Sequence, residues 1–278
     1  MIWAALRGPL AIVITIAAVA YLGLCAWMYA RQRDFIYFPQ FTRVDARGTD
    51  FEIRCNGVTL RGWVVNPGRP SAIVYFGGNA ERVELARDAF AAWFPDRSGY
   101  FIAYRGYGAS DGVPRQSDLF GDALAVFDHA RARHPGSIAV VGRSLGSGVA
   151  SYLASQRPVA RLALITPFDS MAGVASTHYP WLPVRWLLRD RYESTRHLAG
   201  YHGPILVVRA GRDTVIPAIH THWLVQSLPA VPTVVVLPTA DHNMLDSDPG
   251  YREALVGFLH ADAGTGPRQA DRRSVSKR

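Results

Sequence analysis

Short runs of apolar, β-branched residues alternate along this chain with longer stretches whose apolar positions recur every three or four residues. The runs at 58–65, 71–76, 100–104, 137–141, 162–166, 204–209 and 233–237 read as strands. The stretches 81–94, 118–132, 146–156, 216–227 and 251–260 carry the helical period. Such an alternation predicts an α/β architecture, a mostly parallel sheet covered by helices on both faces. In sheets of that kind the reactive side chains gather just beyond the carboxyl ends of the strands.

One apolar stretch breaks the pattern. Residues 8–30 read GPLAIVITIAAVAYLGLCAWMYA, uncharged, between Arg7 and Arg31. The part after Pro9 is 21 residues long. At about 1.5 Å per residue it just spans a hydrocarbon core of roughly 30 Å. It is expected to be a retained signal-anchor over 1–30, with Trp27, Tyr29 and Tyr37 at the interface. The alternative is a cleaved signal peptide, against which stand the long apolar run and the bulky residues at 26–30. The result would be a single-pass protein of a bacterial inner membrane. Arg31, Arg33, Arg43 and Arg47 outnumber the charges on the other flank, which leans toward a cytosolic main domain.

Beyond the anchor, 31–56 reads as a connector and 57–262 as the catalytic-type domain. Within that domain, about 168–201 looks like an insert where a lid would sit. There Trp181, Leu182, Trp186, Leu187 and Leu188 beside Arg185, Arg189 and Arg191 would form an amphipathic face touching substrate or bilayer; a small cap packed on the core is the alternative. The tail, 263–278, is basic and reads as disordered.

Candidate chemistry falls at the strand ends. Gly142-Arg143-Ser144-Leu145-Gly146 follows the strand at 137–141 and precedes a helix. By composition G-x-S-x-G arises by chance roughly one time in ten in a chain this long, so its strand-turn-helix setting carries the weight. Ser144 would be a nucleophile in a strained turn, with Gly142 and Gly146 where side chains would collide with neighbours. Asp213 follows the strand at 204–209, and His242 the strand at 233–237. The order Ser, Asp, His matches a nucleophile, an orienting acid and a general base. Asp169, after the strand at 162–166, is the competing acid. Asp241 is a weaker one, because it adjoins His242 in sequence. The backbone N–H of Leu145 and that of Asn79, in the loop Gly77-Gly78-Asn79-Ala80, are the expected oxyanion donors. Read otherwise, that loop is an ordinary turn capped by Asn79.

Composition narrows the partners. The chain has 278 residues, 49% hydrophobic and 19% charged, enough for one sizeable α/β domain. The net charge of +8 is nearly all arginine, Lys277 being the one lysine, and no recognition module argues for nucleic acid. Two cysteines, one inside the anchor, exclude a disulfide framework and a cysteine-based zinc site.

Five segments in order, YFGGNAERVE, AYRGYGASDG, VVGRSLGSGVA, GRDTVIP and ADHNML, resemble the membrane-anchored α/β-hydrolase-domain family. That group includes lysophospholipid and monoacylglycerol lipases, protein depalmitoylases and serine aminopeptidase-like hydrolases. The resemblance implies the α/β-hydrolase fold, a Ser144-Asp213-His242 triad, oxyanion amides at Asn79 and Leu145, and no metal or organic cofactor. It implies cleavage of esters or thioesters of acyl lipids or S-acylated substrates. A peptidase and a non-catalytic membrane scaffold are the alternatives. The family usually carries a histidine where Gly77 stands, which puts the rigidity of the oxyanion loop in question. Relatives often carry a small polar residue where Asp169 stands.

Overall fold

A computed structural model describes residues 2–260. The tail expected over 263–278 lies outside the described residues.

Helix α1 (Ile2–Ile36) opens the chain. Its apolar residues from Leu10 to Leu22 are mostly exposed. The helix stops at Ile36, two residues before Phe38, whose φ −125° and ψ 58° lie outside the helical region that a following proline disfavours. The stretch read as a connector holds more structure than expected, since α1 runs six residues past Ala30 and β1 (Phe51–Cys55) forms within it. Strand β1 alternates half-buried Phe51, Ile53 and Cys55 with exposed Glu52 and Arg54. It turns through Asn56-Gly57, both at positive φ, into β2 (Val58–Val65). That dipeptide suits a two-residue hairpin, and the short alternation before it was the available signal.

The remaining strands are β3 (Ser71–Phe76), β4 (Arg97–Ile102), β5 (Ile138–Arg143), β6 (Arg161–Ile165), β7 (Ile205–Ala210) and β8 (Thr233–Leu237). They form one eight-stranded sheet in the order β1-β2-β4-β3-β5-β6-β7-β8. Every pairing from β4 to β8 is parallel, and β2 runs antiparallel to both its neighbours. This is the mostly parallel sheet that the sequence predicts. Strands β3, β5, β6 and β7 are almost wholly buried, which is why they read as continuous apolar runs.

Helices cover both faces. Helices α3 (Gln116–Arg133) and α4 (Leu145–Gln156) bury Phe127, Val149 and Leu153 on one side, with Leu224 of α8 (Ala218–Ser227). Helices α2 (Arg87–Trp93) and α9 (Pro249–His260) bury Phe90, Tyr251 and Leu255 on the other. The insert after β6 forms α5 (Met171–His178), α6 (Val184–Leu187) and α7 (Ser194–Leu198). Register aligns the carboxyl ends: Phe76 lies opposite Gly142, Arg143 opposite Ile165, and Ala210 opposite Leu237. The loops after β3, β5, β7 and β8 therefore open at one edge.

Two elements depart from expectation for local reasons. The helix expected over 81–94 is a 3-10 turn (Val83–Leu85) followed by α2. Glu81, at its expected start, turns its carboxylate back onto Gly78 and Tyr75 instead. Strand β4 ends at Ile102 rather than 104 because the chain then turns. Tyr107 N–H donates to the Tyr104 carbonyl, and Arg105 makes a buried two-bonded pair with Asp122 of α3 at 2.6 Å.

Candidate active site

Ser144 sits between β5 and α4 at φ +50° and ψ −117°, a backbone conformation that costs an L-residue strain. The turn is held from several sides. Ser144 N–H donates to the Ile165 carbonyl at 2.8 Å, and Ser144 C=O accepts from the Ser147 amide at 2.9 Å and hydroxyl at 2.6 Å. The flanking glycines have steric reasons. A Cβ on Gly146 would lie 2.1 Å from the Phe76 carbonyl oxygen, and one on Gly142 would lie 2.4 Å from the Gly146 oxygen. The elbow closes only where no side chain intervenes.

The structure brings Ser144, His242 and Asp213 into one hydrogen-bonded chain. Ser144 Oγ lies 2.9 Å from His242 Nε2, and His242 Nδ1 lies 2.8 Å from Asp213 Oδ2. All but a small part of each side chain is buried. The other carboxylate oxygen of Asp213 accepts the amides of Val215 and Ile216 at 2.9 and 2.7 Å. Those bonds aim the acid at the ring, and with Pro217 they delay α8 to Ala218.

Asp169 is placed elsewhere. Its Oδ1 meets Nδ1 of the fully buried His220 at 2.7 Å, and His220 Nε2 meets Thr177 Oγ1 at 2.9 Å. Asp241 caps its own loop by accepting from Asn243 and Met244 amides.

The loop after β3 lies beside the serine. Gly77 packs under Val83, whose Cγ1 would be 2.5 Å from a Cβ there, so a histidine at this position would require Val83 to move. The bracing comes from other groups. Glu81 accepts from Gly78 N–H at 2.7 Å and from Tyr75 hydroxyl at 2.6 Å. Tyr104 hydroxyl donates to the Gly77 carbonyl at 2.8 Å. The Asn79 carbonyl accepts from Tyr107 hydroxyl at 2.7 Å and Phe38 N–H at 3.1 Å. Leu145 opens α4, where first-turn amides have no partner within the helix. Asn79, Ser144 and Leu145 line a common cavity.

Arg143, beside the serine, was not singled out as a site residue, although it sits inside the quoted motif. Its Nη2 donates to the carbonyls of His242 and Asn243 at 3.3 and 3.0 Å, holding the histidine loop. Burial works against its charge, but Glu81 and the hydroxyls of Tyr75 and Tyr251 hold its pKa above the ordinary guanidinium value.

Two cavities meet at Ser144. One, about 410 Å3, is of mixed character, bounded by Glu81, Arg143, His242 and Asp246 and also by Leu85, Phe90 and Trp93. The other, about 530 Å3, is apolar and bounded by the insert, Phe168 and the end of α1. Trp181, Trp186 and Arg185 do not line either one; the insert's share includes Met171, Val174, Leu182, Val184, Leu187 and Leu188.

Known proteins share the fold. No family model matches the chain. It is 36% identical over 265 residues to the uncharacterized protein Rv2307c of Mycobacterium tuberculosis, covering 90% of this chain and 92% of that one. It is 28% identical over 194 residues to the alpha/beta hydrolase domain-containing protein WAV2 of Arabidopsis thaliana, covering 61% and 62%. Among solved structures it resembles the esterase Pf2001 of Pyrococcus furiosus, with a TM-score of 0.62 at 16% identity, over 76% of this chain and 90% of that one.

Proposed function

We propose that this chain, which has the α/β-hydrolase fold and belongs to one family with Rv2307c, is a membrane-anchored serine hydrolase cleaving ester or thioester bonds of acyl substrates. The observation that carries the reading is the hydrogen-bonded chain from a strained Ser144 through His242 to Asp213. A serine in a mere turn has no reason to hold a costly backbone conformation facing a buried histidine.

His242 Nε2 takes the Ser144 proton as Oγ attacks the substrate carbonyl. Asp213, itself fixed by two amides, keeps the other ring proton on Nδ1 and stabilises the imidazolium. The amides of Leu145 and Asn79 receive the oxyanion, Leu145 with the help of the α4 dipole. His242 then protonates the leaving alcohol or thiol. The acyl-enzyme is released by a water that the same ring deprotonates.

The anchor reading is supported by α1, the one helix among the described residues that is long and apolar enough to cross a membrane. Retention of the helix is favoured by its own contacts. Tyr21 bonds to the Trp181 carbonyl, Cys25 is buried against Leu182 and Val184, and Met28 lines the cavity at the serine, so cleavage near Ala30 would remove these contacts. An acyl substrate is favoured by the apolar cavity at the serine.

The test is labelling by a fluorophosphonate probe. The full chain in detergent should label, and Ser144→Ala and His242→Ala should not. A wild type that stays unlabelled ends the hydrolase reading, and a labelled Ser144→Ala assigns another nucleophile.

A further inference from the structure

The carboxyl-terminal third of α1 is built into the wall beside Ser144, which a plain tether would not be. Met28, Gln32, Phe35 and Ile36 face the apolar cavity from one side, and Leu182 and Leu187 from the other. The two walls are pinned together. The Gln32 side chain donates to the Leu187 carbonyl at 3.1 Å and accepts the Arg189 amide at 2.7 Å. Arg33 pairs with Asp190 at 3.1 Å, and the Tyr37 hydroxyl donates to the same carboxylate at 2.9 Å.

Helix geometry sets the depth. Phe38 bonds to Asn79, so the carboxyl end of α1 stands at the oxyanion loop. Met28 lies about 12 Å back along the axis from Ile36, the length of a medium acyl chain. Farther back, the Tyr21 hydroxyl donates to the Trp181 carbonyl at 2.9 Å, and Cys25 is buried against Leu182 and Val184. Tyr21 is about 13 Å inside the apolar stretch that ends at Ala30. A bilayer that holds α1 therefore reaches the insert at Trp181. There the rings of Tyr179, Trp181 and Trp186 are exposed.

We propose that the acyl chain of a membrane lipid ester occupies this cavity, drawn in sideways from the bilayer between α1 and the insert, and that Met28 limits the chain length that fits. The proposal rests on Ser144 being the nucleophile and on α1 lying in a membrane. The chemistry of the walls selects this occupant. No Asp, Glu, Lys or Arg side chain lines the apolar cavity, whereas the charged Arg143, Glu81 and Asp246 line the other one, which is left for the leaving group.

The test uses the full chain in lipid nanodiscs and a fluorophosphonate whose long alkyl tail ends in a diazirine. After Ser144 has reacted, irradiation should crosslink the tail to peptides within 28–36 or 174–188. Crosslinks within 82–93 or 243–251, or none to protein, overturn the proposal. Failure of Ser144 to react at all sinks the hydrolase reading instead. In parallel, Met28→Trp and Leu187→Trp should each lower the ratio of kcat/KM for long over short p-nitrophenyl esters. The drop should be about tenfold or more, since each excluded methylene is worth a factor of about four. Ile14→Trp, on the exposed side of α1, should leave the ratio unchanged. Titration with the same probe corrects for inactive protein, and an unchanged ratio in both cavity variants rejects the assignment.

Discussion

Asp169 Oδ1 lies 2.7 Å from His220 Nδ1, so the carboxylate after β6 serves a second buried histidine and leaves His242 to Asp213. The two acids should therefore separate cleanly. Asp213→Asn is expected to lower kcat by about 10³–10⁴-fold, because the imidazole loses its orienting acceptor and takes the wrong tautomer. Asp169→Asn should leave kcat nearly unchanged and lower stability by about 1–3 kcal/mol through the buried His220 contact. Steady-state kinetics and thermal melts on both variants decide it, and the reverse pattern would exchange the roles.

Gly146→Ala tests the elbow. The added Cβ would sit 2.1 Å from the Phe76 carbonyl oxygen, a backbone atom that cannot swing away. A destabilisation of about 3 kcal/mol or more is expected, at the upper end for overpacked sites. Gly257→Ala, where a Cβ meets nothing within 4 Å, is the control and should be neutral or stabilising. Denaturant melts compare the pair.

Glu81→Ala tests the bracing of the loop that lacks a histidine at Gly77. It removes the acceptor for Gly78 N–H and for the Tyr75 hydroxyl. The expected result is a fall in kcat of about tenfold, short of the 10²–10³-fold typical of losing a donor outright, with little change in KM. A rise in KM at constant kcat would instead place Glu81 in substrate binding.

Alkaline pH should weaken the fold. Burial raises the phenols of Tyr75, Tyr104 and Tyr192 well above their ordinary value. In the unfolded chain they ionise near pH 10, while in the folded protein they stay neutral. Their contribution is thus complete below pH 10 and is lost as pH rises beyond it, by about 1.4 kcal/mol per group per pH unit. Melting temperatures measured from pH 8 to 12 should hold and then fall steeply above 10. The near-ultraviolet tyrosinate signal should lag behind that of the denatured chain. A flat melting curve across that range would contradict the burial argument.

Much of this protein was readable from the order of residue types. Strands buried on both faces must be continuously apolar, so β3 lies where the pattern put it, at 71–76; the less buried β2 and β8 also match, at 58–65 and 233–237. The parallel sheet follows from the alternation, and its carboxyl edge is where Ser144, Asp213 and His242 stand in chain order.

Tertiary structure alone decided which acid meets His242, because Asp213 and Asp169 both follow strands and only packing assigns each its histidine. It also decided what replaces the missing loop histidine, since Glu81, Tyr104 and Tyr107 converge on that loop from separate elements. Above all it joined α1 to the site. A run of apolar residues reports that a helix avoids water, but Gln32 meets Leu187 across 155 positions of sequence. Contacts at such separations leave no period in the chain, so composition and spacing carry no trace of them.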